Sequence, residues 1–410
     1  MNRYLALFTI FALVLTAGQA FAADDDETDW TDIVSVGGYI DGRVVFRGFT
    51  PDTGESDDEE TFSDIKVFEA AVAPHAQLNE HVSVDAVLYY IEGADHPIGH
   101  YAPWAGRSES LTIDEFYLTY ACHGFWAKLG KYYPPIGNFT TYGIGYTRVQ
   151  DLFWTRVSAL GLGYDYSYTS TGKSPFGLSV HTFNGDFENV AEKDGAADPN
   201  DNTIDGFAAN LYIAPLAFMK DDDMSVELGG YYLSDATETL AALSGILMPQ
   251  DILGTAAPAD DVILYENDVP LYGGYLTGEF AFTDMFGLGV AAEYATTGEF
   301  DDKEYVDAAG EATAISATHA ELALLFDNKN IQVGGKYGAV SGLDWLDTAR
   351  FNGMYPTKNL AWEPTDYSEF GGFVGTDYID GLHLAFQFLS GSDNENNATT
   401  LGELQAKVVF

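Results

Sequence analysis

The chain has 410 residues, with 18 Lys and Arg against 63 Asp and Glu, a formal charge of −45 and one cysteine. Such acidity excludes a nucleic-acid partner, whose phosphates demand basic residues, and one thiol excludes a disulfide framework or a Cys-rich metal site. With 14% aromatic residues and 43 Gly the chain is not disordered either, since disorder couples high charge to few aromatics.

Residues 1–22 read as a secretory signal peptide: Arg3 supplies the basic start, Tyr4 to Leu15 the apolar stretch, and Ala20-Phe21-Ala22 a small-x-small cleavage site. Residues 23–32 form a short acidic periplasmic leader, Asp24-Asp25-Asp26-Glu27 being its most charged part. No later apolar run reaches the ~18 residues of a spanning helix, so any membrane crossing must be made by strands.

From residue 33 the sequence alternates with period two. Val34, Val36, Ile40, Val44 and Phe46 share one face, and Tyr39, Asp41, Arg43 and Arg47 the other. Leu160, Leu162 and Tyr164 oppose Gly161, Gly163 and Asp165, and Val226, Leu228 and Tyr232 oppose Glu227 and Gly229. Phe286, Leu288, Val290 and Tyr294 oppose Gly287, Gly289 and Glu293, and Leu384, Phe386 and Phe388 oppose His383 and Gln387. Runs this long suit strands that cross a bilayer obliquely, with lipid on one side and water on the other.

Connections alternate between short and long. Short ones fall at 122–124, 169–175, 283–285, 327–330 and 376–380, and long ones at 48–63, 93–110, 184–203, 235–268, 297–313 and 340–366. About sixteen segments result, and the closing alternation Gly402, Leu404, Ala406, Val408 ends on an aromatic, Phe410. The pattern predicts an all-β fold, a transmembrane antiparallel up-and-down β-barrel of about sixteen strands over 33–410, in the Gram-negative outer membrane. A soluble sandwich would not set Tyr and Trp at the ends of its outward stripes, whereas membrane barrels carry aromatic girdles there.

A barrel does not fix its function. An enzyme is not expected: of the eight histidines, His319 shares a strand face with Glu321, but no nucleophile motif accompanies them. No resident cofactor or metal is expected at the lumen. His96 and His100 read as solvated loop histidines, and Cys122 beside His123 as an incidental thiol. Asp198 to Asn202 begins like a calcium loop but has Thr203 in place of the turn glycine, so calcium at the acidic external loops is only a weak expectation. Those acids, as in Asp52 to Glu60 and around Lys303, either form a cation-enriching vestibule or are solvated tips near lipopolysaccharide.

The predicted pore-lining or constriction residues are the charged ones on polar strand faces, Asp41, Arg43, Arg47, Glu115, Lys128, Lys131, Asp165, Glu227, Glu293 and Lys336. Two more bases, Arg148 and Arg156, bracket a loop. Pro134-Pro135-Ile136-Gly137 stops a strand, because proline cannot donate to the ladder. The stretch Asn138 to Trp154 that follows is predicted to fold inward as a constriction loop, with Phe139, Tyr142, Tyr146, Phe153 and Trp154 offering stacking surface to a sugar or an aromatic siderophore, the alternative being that these rings belong to the external aromatic girdle.

The segment Asp114-Glu115-Phe116-Tyr117-Leu118, followed by Gly130-Lys131-Tyr132-Tyr133-Pro134-Pro135-Ile136-Gly137, resembles the LbtU-type siderophore porins of the outer membrane. Ile136 stands where that family has Phe, and the N-terminal coiled-coil segment common in the family has no counterpart before residue 33. The resemblance covers about thirty residues and implies passive, TonB-independent uptake of an iron–siderophore complex. A carbohydrate or general porin, or a structural or adhesive barrel without transport, is the alternative. A TonB-dependent receptor needs a plug inside a 22-stranded barrel, more than this chain holds. Porins of this size are commonly trimers, so a homotrimer is a further expectation.

Overall fold

The computed structural model describes residues 33–50, 60–91, 110–144, 147–153, 155, 157–166, 174–184, 204, 206–218, 224–234, 236, 269–283, 285–298, 314–327, 330–342, 366–393 and 398–410. Sixteen strands run in chain order as β1 (Val34–Thr50), β2 (Glu60–Gln77), β3 (Val82–Ile91), β4 (Ser110–Cys122), β5 (Phe125–Tyr132), β6 (Val157–Asp165), β7 (Phe176–Asn184) and β8 (Gly206–Ile213). They continue as β9 (Met224–Leu233), β10 (Leu271–Thr283), β11 (Phe286–Thr297), β12 (Ser316–Phe326), β13 (Ile331–Ser341), β14 (Tyr367–Ile379), β15 (Leu382–Asp393) and β16 (Ala398–Val409). Each pairs antiparallel with its sequence neighbours, and β1 closes on β16. Closure removes every sheet edge, as a bilayer requires of any spanning sheet.

The period-two reading sets which side faces out. Ile40, Phe46, Leu162, Leu228, Leu322 and Leu404 are exposed on the outer surface, where only lipid would make their burial favourable. Aromatics band both ends of that surface. Tyr120, Phe125, Phe176, Phe282, Phe286 and Phe410 lie toward the short turns, and Phe46, Phe207, Tyr232, Tyr272, Tyr294 and Phe370 toward the long connections. Phe410 joins the seam directly, its backbone exchanging hydrogen bonds with Gly38 at 2.9 and 3.0 Å.

Facing inward, glycine and aromatic residues fit together across strands. A Cβ at Gly163 would collide with Trp126, at Gly177 with Tyr212, at Gly229 with Tyr275 and at Gly289 with Tyr142. Lumenal glycines thus provide the room that lumenal rings fill, which is why a chain rich in one is rich in the other.

Strands and connections differ from the sequence reading in three places. β1 and β2 extend through Gly48 and Ser63, which the alternation had assigned to a loop. β14 continues past Thr376 to Ile379 through a register irregularity. A bulge opposite Asp41/Gly42 adds Phe68 to the inward face of β2, where it is 1% exposed.

Candidate pore constriction

Between β5 and β6 the chain does not leave the barrel mouth but turns into the lumen. Gly137 and Phe139 both have positive φ, 89° and 54°, and this bend points two successive backbone N–H groups the same way, an arrangement that suits an anion. Glu293 on β11 fills it, accepting from Asn138 N at 3.1 Å and Phe139 N at 3.0 Å. Gly137 is also tight, since a Cβ there would lie 2.7 Å from Glu293 Oε1.

Farther along, the wall keeps accepting loop donors. Glu321 on β12 accepts from Thr141 Oγ1 at 2.6 Å and from the Tyr142 N–H. Gln387 on β15 accepts the Ile144 N–H at 3.0 Å, and Lys336 on β13 donates to the Ile144 carbonyl at 3.2 Å. Asn138 Nδ2 donates to Glu227 on β9 at 3.2 Å. Where the loop leaves β5, the Tyr133 hydroxyl donates to Asp114 on β4 at 3.1 Å.

Apolar packing accompanies these bonds. Ile136, Val149, Phe153 and Val157 are buried with Leu233, Leu271, Ile315 and Val340 of the facing wall, and the helix α1 (Arg148–Phe153) contacts β11, β12 and β13. Tyr142 is buried among Ala291, Ala323, Leu325 and Phe373. Burial of this kind contributes ~1.5–3 kcal/mol for each large apolar side chain. The loop therefore belongs to the folded barrel and narrows its lumen.

Three wall carboxylates take their hydrogen bonds from neutral donors. Glu293 also accepts from Tyr231 Oη at 3.0 Å, Glu227 from Tyr275 Oη at 3.0 Å, and Asp165 from Trp126 Nε1 and Tyr212 Oη, both at 2.8 Å. A phenol or indole donates without bringing a positive charge to the carboxylate, so none of these hydrogen bonds forms an ion pair. Tyr89 donates likewise to Glu69.

A second, ionic cluster sits at the seam. Arg43 Nε and Nη2 donate to Asp41 Oδ2 at 3.1 and 2.7 Å, its Nη1 lies 3.6 Å from Glu403 Oε1, and its guanidinium lies 3.6 Å over the Phe68 ring. Lys128 projects inward on β5, 4.1 Å over Tyr117, with Glu115 on the same side of β4.

Of the predicted lining residues, Asp41, Arg43, Glu115, Lys128, Asp165, Glu227, Glu293 and Lys336 face inward, and Phe139 and Tyr142 belong to the inserted loop. Lys131 does not line the pore. It pairs with Phe116 and shares a strand face with Leu129 and Phe125, which like Phe116 are exposed on the outer surface, because it lies three positions after the inward Lys128. Phe139, Tyr142 and Phe153 pack against the wall instead of offering open stacking faces, and Trp154 lies outside the described residues. Arg47 lies in β1 opposite Leu401 and Phe62, and Arg148 opens α1. Tyr146 and Arg156, the histidines His96 and His100, the stretch Asp198 to Asn202 and the acidic loop tips lie outside the described residues.

Sequence reasoning missed the loop's own anchors. Glu321 and Gln387 were placed on inward faces by alternation, but nothing local links either to a loop more than 170 residues earlier, as their separations of 180 and 243 residues attest.

A closed sixteen-stranded antiparallel barrel narrowed by an inserted loop has the architecture of outer-membrane porins. No protein-family model and no curated protein matches the sequence. Among solved structures, the chain is similar in fold to Pseudomonas putida OprB, at TM-score 0.56 and 12% identity, covering 92% of this chain and 94% of that one. The outer membrane channel DcaP of Acinetobacter baumannii matches at TM-score 0.52 and 13% identity over 92% and 97% of the two chains. An anion-selective porin from Comamonas acidovorans matches at 0.52 and 9% over 92% and 99%.

Proposed function

We propose that the protein is an outer-membrane diffusion pore for small solutes whose constriction favours cations. The observation that carries this reading is the treatment of Asp165, Glu227 and Glu293. They are supported by Tyr, Trp, Asn and backbone donors, and Glu227 and Glu293 hold the loop with no basic group among the described residues set against them. Carboxylates that remain ionised along a narrow lumen attract cations and repel anions. The anion-selective neighbour shares only the fold and has no bearing on the charge of this lumen.

Planar-bilayer recording tests both halves of the proposal. Discrete conductance steps, with a reversal potential of cation-preferring sign in a salt gradient, are the expected result. A folded protein that opens no channel would favour a structural or adhesive barrel.

Uptake of an iron–siderophore complex is the narrower reading, and it rests on the segment from Ile113 to Phe139. In the structure those residues build β4, β5 and the bend that sends the loop inward, which accounts for their Gly and Pro on structural grounds alone. Growth on siderophores under iron limitation tests it: deletion should impair growth, and unimpaired growth removes this reading while leaving the pore intact. Assembly as a homotrimer is proposed from chain size and is tested by cross-linking the detergent-extracted protein.

A further inference from the structure

Gln387 on β15 is 1% exposed and stands between two structures that need not have been connected. Its Oε1 accepts the Ile144 N–H at the loop tip at 3.0 Å, and its Nε2 donates to Glu403 Oε2 at 3.1 Å. Only this amide orientation is consistent, since the reverse would set donor against donor and acceptor against acceptor.

Beyond Glu403 the contacts continue through Arg43 to Asp41, and Gln405 Nε2 donates to Asp41 Oδ2 at 2.7 Å. Arg43 and Asp41 belong to β1, and Glu403 and Gln405 to β16, so this ionic cluster straddles the barrel seam. On the loop side, Lys336 holds the Ile144 carbonyl. A Cβ at the preceding Gly143 would lie 2.7 Å from Gln387 Oε1 and 3.3 Å from Phe373 Cδ1. Both backbone polar groups of Ile144 are therefore held by the wall, and Gly143 has no room to retreat toward it.

We propose that Gln387 is a positioning residue that couples the tip of the constriction loop to the Arg43 cluster at the seam, so that pore width and the charge beside it are set together. The inference rests on the pore reading above. It needs one planar group that accepts on one side and donates on the other. Leucine does neither. An ionised glutamate accepts but cannot donate and sets a second carboxylate against Glu403, whereas a protonated glutamate again donates and accepts.

The groups facing position 387 are Glu403 on β16 with Arg43 and Asp41 of β1 behind it, Glu321 of β12 across Gly143, and Lys336 of β13 through Ile144. Most of this charge is negative, so the introduced carboxyl in Gln387→Glu would protonate more readily than a solvated one.

The test records full-length wild type, Gln387→Leu and Gln387→Glu in planar bilayers from neutral to acidic pH, with heat-shifted electrophoretic mobility confirming folded barrels. Gln387→Leu should raise single-channel conductance by roughly 1.5- to 2-fold and move the reversal potential toward zero as the eyelet widens. Gln387→Glu should behave the same at neutral pH and return toward wild type as pH falls, along a steeper profile than the wild type's. A passive structural role would not produce that reversal.

Gly143→Ala, which crowds the tip off Gln387 without touching the ionic cluster, should also raise conductance, and it stands in if either Gln387 variant fails to fold. Folded variants that keep wild-type conductance and selectivity at every pH would overturn the coupling and leave the pore standing. A wild type that opens no channel would remove both.

Discussion

Lumenal carboxylates are held in two different ways on the two sides of this barrel. On β6, β9 and β11, Asp165, Glu227 and Glu293 accept from Tyr, Trp, Asn and loop backbone, with no basic partner among the described residues. At the seam, Asp41 and Glu403 gather round Arg43, with side chains 0–3% exposed. The first arrangement sets no positive charge against its acids, whereas the second sets one guanidinium between two carboxylates and offsets part of their charge. An acid's effect on permeation therefore depends on which donors its neighbours supply, and overall composition does not predict it.

The two sides should break differently. Arg43→Met fills similar volume but strands Asp41 and Glu403 as buried acids, so it should cost about 3–5 kcal/mol. The urea midpoint of the barrel refolded in lipid vesicles reads that loss. Glu321→Ala removes the acceptor for the Tyr142 N–H and Thr141 hydroxyl. It should cost about 1–3 kcal/mol and raise conductance, because the loop loses an anchor.

Glu293→Gln removes the charge but keeps only one of the two acceptors, since its NH2 faces either the Asn138 or the Phe139 N–H. Cation preference should fall, as read from the reversal potential, with a smaller rise in conductance than in Glu321→Ala. Smallest of all, Tyr275→Phe removes one neutral donor to Glu227 and should cost at most about 1 kcal/mol, with selectivity unchanged. If Tyr275→Phe were as destabilising as Arg43→Met, the distinction between the two sides would collapse.

The barrel itself was legible because lipid outside and water inside impose a period of two on every strand, visible in Val34 to Phe46 and again in Phe286 to Tyr294. The inward fold of the loop was legible too, from Pro134, Pro135 and Gly137 ahead of an aromatic run. The reading went astray where alternation was not followed through and where the ladder adds a residue. Lys131 was grouped with Lys128 across Gly130 although an odd separation puts them on opposite faces, and Phe68 reached the lumen only through a bulge. The donors of Glu227 and Glu293 were beyond reach for another reason. Tyr275 and Tyr231 lie 48 and 62 residues from the carboxylates they serve, and only strand register brings them together. Part of the excess of Gly and aromatics in the composition has the same origin, because rings such as Trp126, Tyr212 and Tyr275 sit over a glycine on the next strand.

The central claim is that carboxylates left charged by neutral donors make this lumen cation-preferring. The reversal potential of the wild-type channel in a potassium chloride gradient tests it most directly, with the triple variant Asp165→Asn, Glu227→Gln and Glu293→Gln alongside. The account predicts a cation-preferring potential for wild type that moves toward zero in the triple variant. A wild-type channel that prefers anions, or a triple variant as cation-selective as wild type, would contradict it.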